Sequence, residues 1–159
     1  MAEAAYGPPK IAASAGAMLF DQSGRLLILK PSYKPKWTIP GGQIDADGES
    51  PWDACRRETF EECGLRVEFG RLAAVDFLRP RPDRYRPGGV RFLFDCGAFS
   101  DEALSVVTPQ DGEILEHRFV SLEEAFLLLS GPLRRRVRAA AGKQRCVYLE
   151  EGRRVEGVG

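Results

Sequence analysis

Apolar residues dominate positions 11–20 and return from Leu26 to Leu29, with Asp21, Gln22, Ser23 and Gly24 between them. Two β-type runs joined by a short polar turn containing glycine predict a hairpin. Pro31, Pro35 and Pro40 keep the next stretch extended or looped, with Trp37 and Ile39 as apolar anchors. The period changes over residues 49–63, where Trp52, Cys55, Thr59 and Cys63 recur at spacings of three and four. That pattern predicts a helix with one packing stripe. Ser50 and Pro51 suit its start, and Gly64 suits a left-handed end.

Residues 65–78 predict one or two strands, followed by a basic, proline-rich loop over residues 79–89. Val90, Phe92, Phe94 and Cys96 then alternate with Arg91, Leu93, Asp95 and Gly97, a strand with one strongly apolar face. Residues 114–120 predict a further strand. Residues 122–129 and 133–141 predict short helices, separated by Gly131-Pro132. Arg134, Arg135, Arg136 and Arg138 are expected to form a solvated face of the second. Mixed strands and helices of this order predict an α/β or α+β sandwich. No repeat or long linker interrupts them, so one domain is expected over residues 11–145, with loose tails at 1–10 and 146–159.

A chain of 159 residues can bury one sizeable core. Its 23 basic and 23 acidic residues cancel, leaving no global field to hold nucleic acid or an anionic membrane. Any polyanionic substrate must therefore be small and gripped locally. The first ten residues lack the apolar core of a signal peptide, and no stretch approaches the roughly 20 apolar residues of a membrane span. Four scattered cysteines, Cys55, Cys63, Cys96 and Cys146, read as reduced thiols of a cytoplasmic protein. The lone His117 has no neighbouring cysteine to make a zinc site and reads as a strand or surface residue.

Against that neutral background, residues 45–62 carry Asp45, Asp47, Glu49, Asp53, Glu58, Glu61 and Glu62 against Arg56 and Arg57 alone. At about 100° per residue, Glu61 and Glu62 lie within roughly 60° of Glu58, one on each side. Three carboxylates on one arc repel unless solvent or cations compensate. Oxygen ligands of this kind suit Mg²⁺ or Mn²⁺ better than zinc. A solvated helix face is the simpler reading of the glutamates taken alone. The adjacent Gly41-Gly42, which permits close backbone approach to a ligand, changes the balance. The stretch Asp45 to Glu49 superficially resembles a calcium loop but lacks its third ligand position and distal glutamate, so it reads as a tight acidic turn.

Residues 42–65 resemble the Nudix box, G-x5-E-x7-R-E-U-x-E-E-x-G-U with U a bulky apolar residue. Glu49, Arg57, Glu58, Glu61, Glu62, Gly64 and Leu65 all fall in register. Two positions depart from the pattern: residues 43–48 put six residues instead of five before Glu49, and Thr59 stands at an apolar position. The resemblance implies a mixed sheet flanked by helices, an α/β/α sandwich. It also implies attack by water on phosphorus in a nucleoside diphosphate linked to another moiety, with Mg²⁺ or Mn²⁺ as cofactor.

Carried over residue by residue, it makes Glu58, Glu61 and Glu62 metal ligands, with a backbone carbonyl from Gly41 or Gly42. Glu49 and Arg57 pair to brace loop against helix. The general base is a box glutamate, Glu61 or Glu62, or a later carboxylate among Asp111, Glu113 and Glu116, with Glu113 preferred. Arg79, Arg81, Arg84, Tyr85 and Arg86 form a loop suited to phosphate contacts and base stacking. A solvated surface loop is the competing reading there, as it is for Lys30, Lys34 and Lys36. The expected partner is a small nucleotide, and the oligomeric state is left open, a homodimer included. A nucleotide-binding or regulatory domain with little turnover is the alternative function.

Overall fold

The computed structural model describes residues 10–159. The predicted hairpin is present as β1 (Ala13–Asp21) and β2 (Leu26–Pro31). Its turn is fixed by Asp21, whose carboxylate accepts from the amides of Ser23 and Arg25, both at 2.9 Å, and from Arg25 Nε at 2.7 Å. Gly24 supplies the positive φ of 81° that closes the turn. A short strand β3 (Gly41–Gln43) pairs with the start of β1. Helix α1 (Pro51–Cys63) follows, with the Ser50 side chain accepting from the Asp53 amide and Gly64 in the left-handed conformation at φ 73°.

The remaining elements are β4 (Arg71–Leu78), β5 (Gly89–Phe99), the short helix α2 (Asp101–Leu104), β6 (Ile114–Val120), α3 (Leu122–Leu128), α4 (Gly131–Ala140), β7 (Val147–Glu150) and β8 (Arg153–Arg154). All eight strands join one mixed sheet in the order β6-β2-β1-β5-β4-β7-β8, with β3 added beside β1. The β1–β5 and β4–β7 pairs are parallel and the others antiparallel.

Helix α1 covers one face of this sheet, packing Ala54, Cys55 and Cys63 on Ala17, Leu19, Leu27 and Leu29. Helices α3 and α4 cover the other, packing Ala125, Val137 and Ala140 on Met18, Leu26, Ile28 and Leu93. The expected α/β/α sandwich is therefore present. It also explains the unbroken apolar run of β2, because a strand covered on both faces has no polar side to alternate with.

Three expectations need correction. Residues 146–159 are not a loose tail, since Val147–Glu150 is a strand parallel to β4 with Leu149 fully buried. Its four residues carry too short an alternation to announce a strand, and only the open edge of β4 recruits them. Residues 65–70 are irregular, although Leu65 and Val67 are buried beneath α1. Arg56 Nε bonds to the Val67 carbonyl at 2.9 Å, in place of a strand partner. Arg136 is not on a solvated face: it is 9% exposed and bonds through Nε to the fully buried Asp76 at 3.0 Å. His117 lies in β6 opposite Leu29, as a strand residue.

Candidate active site

The acidic arc of α1 meets the glycine strand β3 at the edge of the sheet. Glu58 is half-buried, with its carboxylate against the bare Cα of Gly42, where a Cβ would overlap both the carboxylate carbon and Oε1. Burial raises the pKa of Glu58, opposed by its bond to Arg57. Glu62 is 7% exposed, and its Oε2 has no hydrogen-bond partner among the described residues. Burial pushes its carboxyl up to about 8, with repulsion from Glu58 adding to the shift and a Gly41 amide bond opposing it. Glu61 is more open and lies 3.2 Å from Arg57 Nη1.

Arg57 organises the region. Its Nε and Nη2 clasp Glu49 at 2.7 and 3.0 Å, its Nη1 reaches Glu58 at 2.9 Å, and Nη2 also donates to the Gln43 carbonyl at 3.1 Å. The fork geometry of a guanidinium permits this bidentate grip, and a lysine does not. The grip holds the Glu49 carboxyl below its ordinary pKa. Glu49 Oε2 also accepts from the Asp45 amide at 2.9 Å, so the loop is tied down at both ends. The 43–48 loop, which carries the extra residue, is largely exposed, and Gly48 has open space around it. The clasp of Glu49 on Arg57 is intact despite it.

These features fit a hard divalent cation. The donors are carboxylate oxygens, one of them buried without a partner, beside a glycine whose missing side chain leaves room for Glu58. Among the described residues, three carboxylates do not meet at one point. Glu61 is turned towards Arg57 instead.

The later-loop candidates separate in space. Glu113 is near enough to raise the pKa of Glu62, whereas Glu116 is paired with Arg118 at 2.6 Å and Asp111 is exposed in the preceding turn. Tyr33 was not singled out by its sequence context, yet it feels the charges of Glu62, Glu113 and Glu58. The neighbouring Lys34 opposes the shift of Glu62.

A cavity of about 370 Å³ opens from the Gly41-Gly42 strand onto the opposite face of the sheet, below α4. Its charged lining consists of Lys34, Arg91 and Arg136, with no carboxylate. The loop predicted to bind substrate lies elsewhere. Arg79, Arg81 and Tyr85 line a separate cleft of about 740 Å³ with Arg135 and Arg153, and none of them borders the glycine-edged cavity. Arg79 is paired with Glu150 at 2.6 Å, Arg81 with Asp83 at 3.2 Å, and Tyr85 is 98% exposed. An arginine set between apolar residues near the start of a strand, Arg91, was the available sequence signal for the cavity.

A family model described as NUDIX domain matches residues 10–140, and the chain belongs to that family. It is 35% identical over 71 residues to a MutT-like protein of Streptomyces ambofaciens, covering 45% of this chain and 46% of the relative. It is 42% identical over 76 residues to an RNA pyrophosphohydrolase of Psychrobacter cryohalolentis, covering 46% of this chain and 43% of the relative. The chain thus spans less than half the length of these curated relatives. The crystal structure of a MutT protein from Methanosarcina mazei superposes with a TM-score of 0.64 at 25% identity, covering 80% of this chain and 91% of that one.

The contact between Gly42 and Glu58 carries a prediction. In Gly42→Ala the new methyl must displace the Glu58 carboxylate, the far end of a flexible side chain, so the fold should tolerate it. Turnover is expected to fall at least tenfold, or about 1.4 kcal/mol in barrier, with little change in melting temperature. Gly41→Ala should behave oppositely and lower the melting temperature, because its Cβ would overlap the Ala15 carbonyl oxygen in the backbone of β1. Steady-state rates and thermal melts of the two variants check both halves.

Proposed function

We propose that this protein hydrolyses a phosphoanhydride bond in a nucleoside diphosphate derivative, using Mg²⁺ or Mn²⁺ held by Glu58, Glu61, Glu62 and the Gly42 carbonyl. The observation that carries the reading is the buried, unpartnered Glu62 oxygen beside Glu58, across the Gly41-Gly42 strand from a cavity whose charged groups are all cationic. A carboxylate desolvated in this way is unstable as an anion unless a cation joins it. A cation bound there would screen the charge of the diphosphate and lower the pKa of water, so that water more readily gives up a proton as it attacks phosphorus.

The chain's own residues supply the rest. Lys34 holds the anionic substrate on one side of the glycine strand, and the α1 carboxylates stand on the other. Arg57 is a positioning residue that fixes Glu58 and, through Glu49, the loop leading into the helix. Glu113, exposed on the turn before β6, takes the proton from the attacking water. Among the described residues it is in no ion pair, which allows it to move towards Glu62. The RNA pyrophosphohydrolase among the relatives supports a phosphorylated nucleotide end as a substrate type.

One observation favours a binding domain with little turnover: Glu61 is bonded to Arg57 and does not converge with Glu58 and Glu62. A substrate panel separates the two readings. Nucleoside triphosphates, ADP-ribose, dinucleoside polyphosphates and nucleotide sugars would be incubated with Mg²⁺ or Mn²⁺, and phosphate or nucleotide release measured. Turnover of at least one class is expected. Absence of turnover across the whole panel with both metals would leave the binding domain.

A further inference from the structure

Of the three cations that line the glycine-edged cavity, only Arg136 is in an ion pair among the described residues, which leaves Lys34 and Arg91 unpaired. Arg91 on β5 is directly opposite Asp76 on β4 in the antiparallel register, so its natural cross-strand partner is that carboxylate. Asp76 is already committed. Its Oδ2 accepts from Arg136 Nε at 3.0 Å and its Oδ1 from the Gly152 amide at 2.9 Å. Among the described residues Arg91 has no carboxylate within ion-pair distance, and its one hydrogen bond is a long 3.5 Å contact to its own neighbour, the Val90 carbonyl. Burial and repulsion by Arg136 push its pKa down, with the nearby charge of Asp76 opposing them.

A second feature of the same cavity points the same way. The first turn of α4 lines it through Ser130, Pro132 and Leu133. This ten-residue helix has Ser130 at its N-cap, yet the serine makes no side-chain capping bond. Its free backbone amides and positive dipole end are therefore available to an anion. Across the sheet, Gln43, Ser14 and Arg91 are successive register partners on β3, β1 and β5. Strand spacing alone puts the Arg91 backbone roughly 10 Å from that of Gln43, past one intervening strand. An anion held there is beyond a diphosphate seated at Gly42 and belongs to the far part of the same ligand.

We propose that Arg91, together with the first turn of α4, binds an anionic group of the substrate beyond the cleaved diphosphate. The proposal rests on the hydrolase reading above and names its substrate class: compounds with a third phosphate or an equivalent charge, in preference to a diphosphate joined to an uncharged sugar. Arg136 is held by Asp76 and serves as background charge. Arg91 is the group free to respond to ligand.

The test has a binding arm that needs neither metal nor turnover. Titration calorimetry with inorganic tripolyphosphate in EDTA should show binding by the wild-type protein, at least tenfold weaker in Arg91→Gln and intermediate in Arg91→Lys. Among the described residues Arg91 is in no ion pair, so melting temperatures should stay close to wild type; the lysine variant keeps the charge if the glutamine variant proves unstable. In the kinetic arm with Mg²⁺, Arg91→Gln should raise KM at least tenfold for a nucleoside triphosphate or dinucleoside tetraphosphate. The change for ADP-ribose should be under threefold, with kcat little altered for either class. No binding of tripolyphosphate by the wild type, binding by Arg91→Gln within threefold of it, or an equal KM change for both substrate classes would overturn the proposal. Intact, Arg91-dependent binding with no turnover on any substrate would instead sink the hydrolase reading and leave the anion site standing.

Discussion

Asp76→Ala is expected to destabilise the protein by about 3–5 kcal/mol, the usual cost of removing one partner from a buried ion pair. The carboxylate is fully buried at the centre of β4 and is shared by Arg136 of α4 and the Gly152 amide beyond β7. Its removal leaves Arg136, 9% exposed, with an uncompensated charge that also repels Arg91. At roughly 2–4 °C per kcal/mol for a chain of this size, the melting temperature should fall by roughly 6–20 °C.

The control is the double variant Asp76→Leu with Arg136→Met, which removes both charges and fills the space. It should recover much of the loss, because a buried pair replaced by packed apolar groups is often neutral or better. Thermal or urea unfolding of the three proteins decides the matter. An Asp76→Ala variant as stable as the wild type would show that α4 and β7 are held without this pair.

Glu62→Gln should separate function from stability. Turnover on the preferred substrate is expected to fall at least tenfold, since the amide keeps the shape but loses the anionic oxygen that a cation requires. Stability without metal should move the other way. The Glu62 carboxyl titrates near 8 in the folded protein, against 4.5 as its ordinary value. Between those values the folded state holds a proton that the unfolded chain has released. Stability in EDTA should therefore decline as pH rises from about 4.5 to about 8 and level off above.

Glutamine does not ionise, so Glu62→Gln should match the wild type near pH 4 and melt higher than it at pH 9 in EDTA. Adding Mg²⁺ at pH 8 should raise the melting temperature of the wild type and have a much smaller effect on the variant. Melting curves across pH with EDTA or Mg²⁺ supply the check. Equal melting at pH 9, or wild-type turnover in the variant, would refute the role given to this carboxylate.

The helix carrying the acids was readable because every signal for it is local. Ser50, Pro51 and Gly64 set its ends, Cys55, Thr59 and Cys63 set its buried stripe, and the fixed rise of a helix then put Glu58, Glu61 and Glu62 on one arc. The clasp between Glu49 and Arg57 was also legible, through the resemblance of residues 42–65 to the family's box, and the structure contains it despite the inserted residue. Local patterns did not show which partners distant in sequence other residues would meet. The arginine-rich loop 79–89, expected as a substrate grip or a solvated loop, pairs Arg79 with Glu150 and Arg86 with Glu151 and lines a cleft separate from the glycine-edged cavity. The arginines of α4 looked solvated, although Asp76, sixty positions earlier in the chain, draws Arg136 inward.

The sequence by itself determined the hairpin, the capped acidic helix, the alternating strand around Phe92 and the spacing of the glutamates, because periodicity, caps and turns act over a few residues. The tertiary structure alone decided that Val147–Glu150 completes the sheet and that Glu62 is buried with an unpartnered oxygen. It also decided that Arg91 is left over when Arg136 takes Asp76. Strand pairing and desolvation bring together groups from opposite ends of the chain, and their energies depend on which surfaces meet, a quantity that no local pattern encodes.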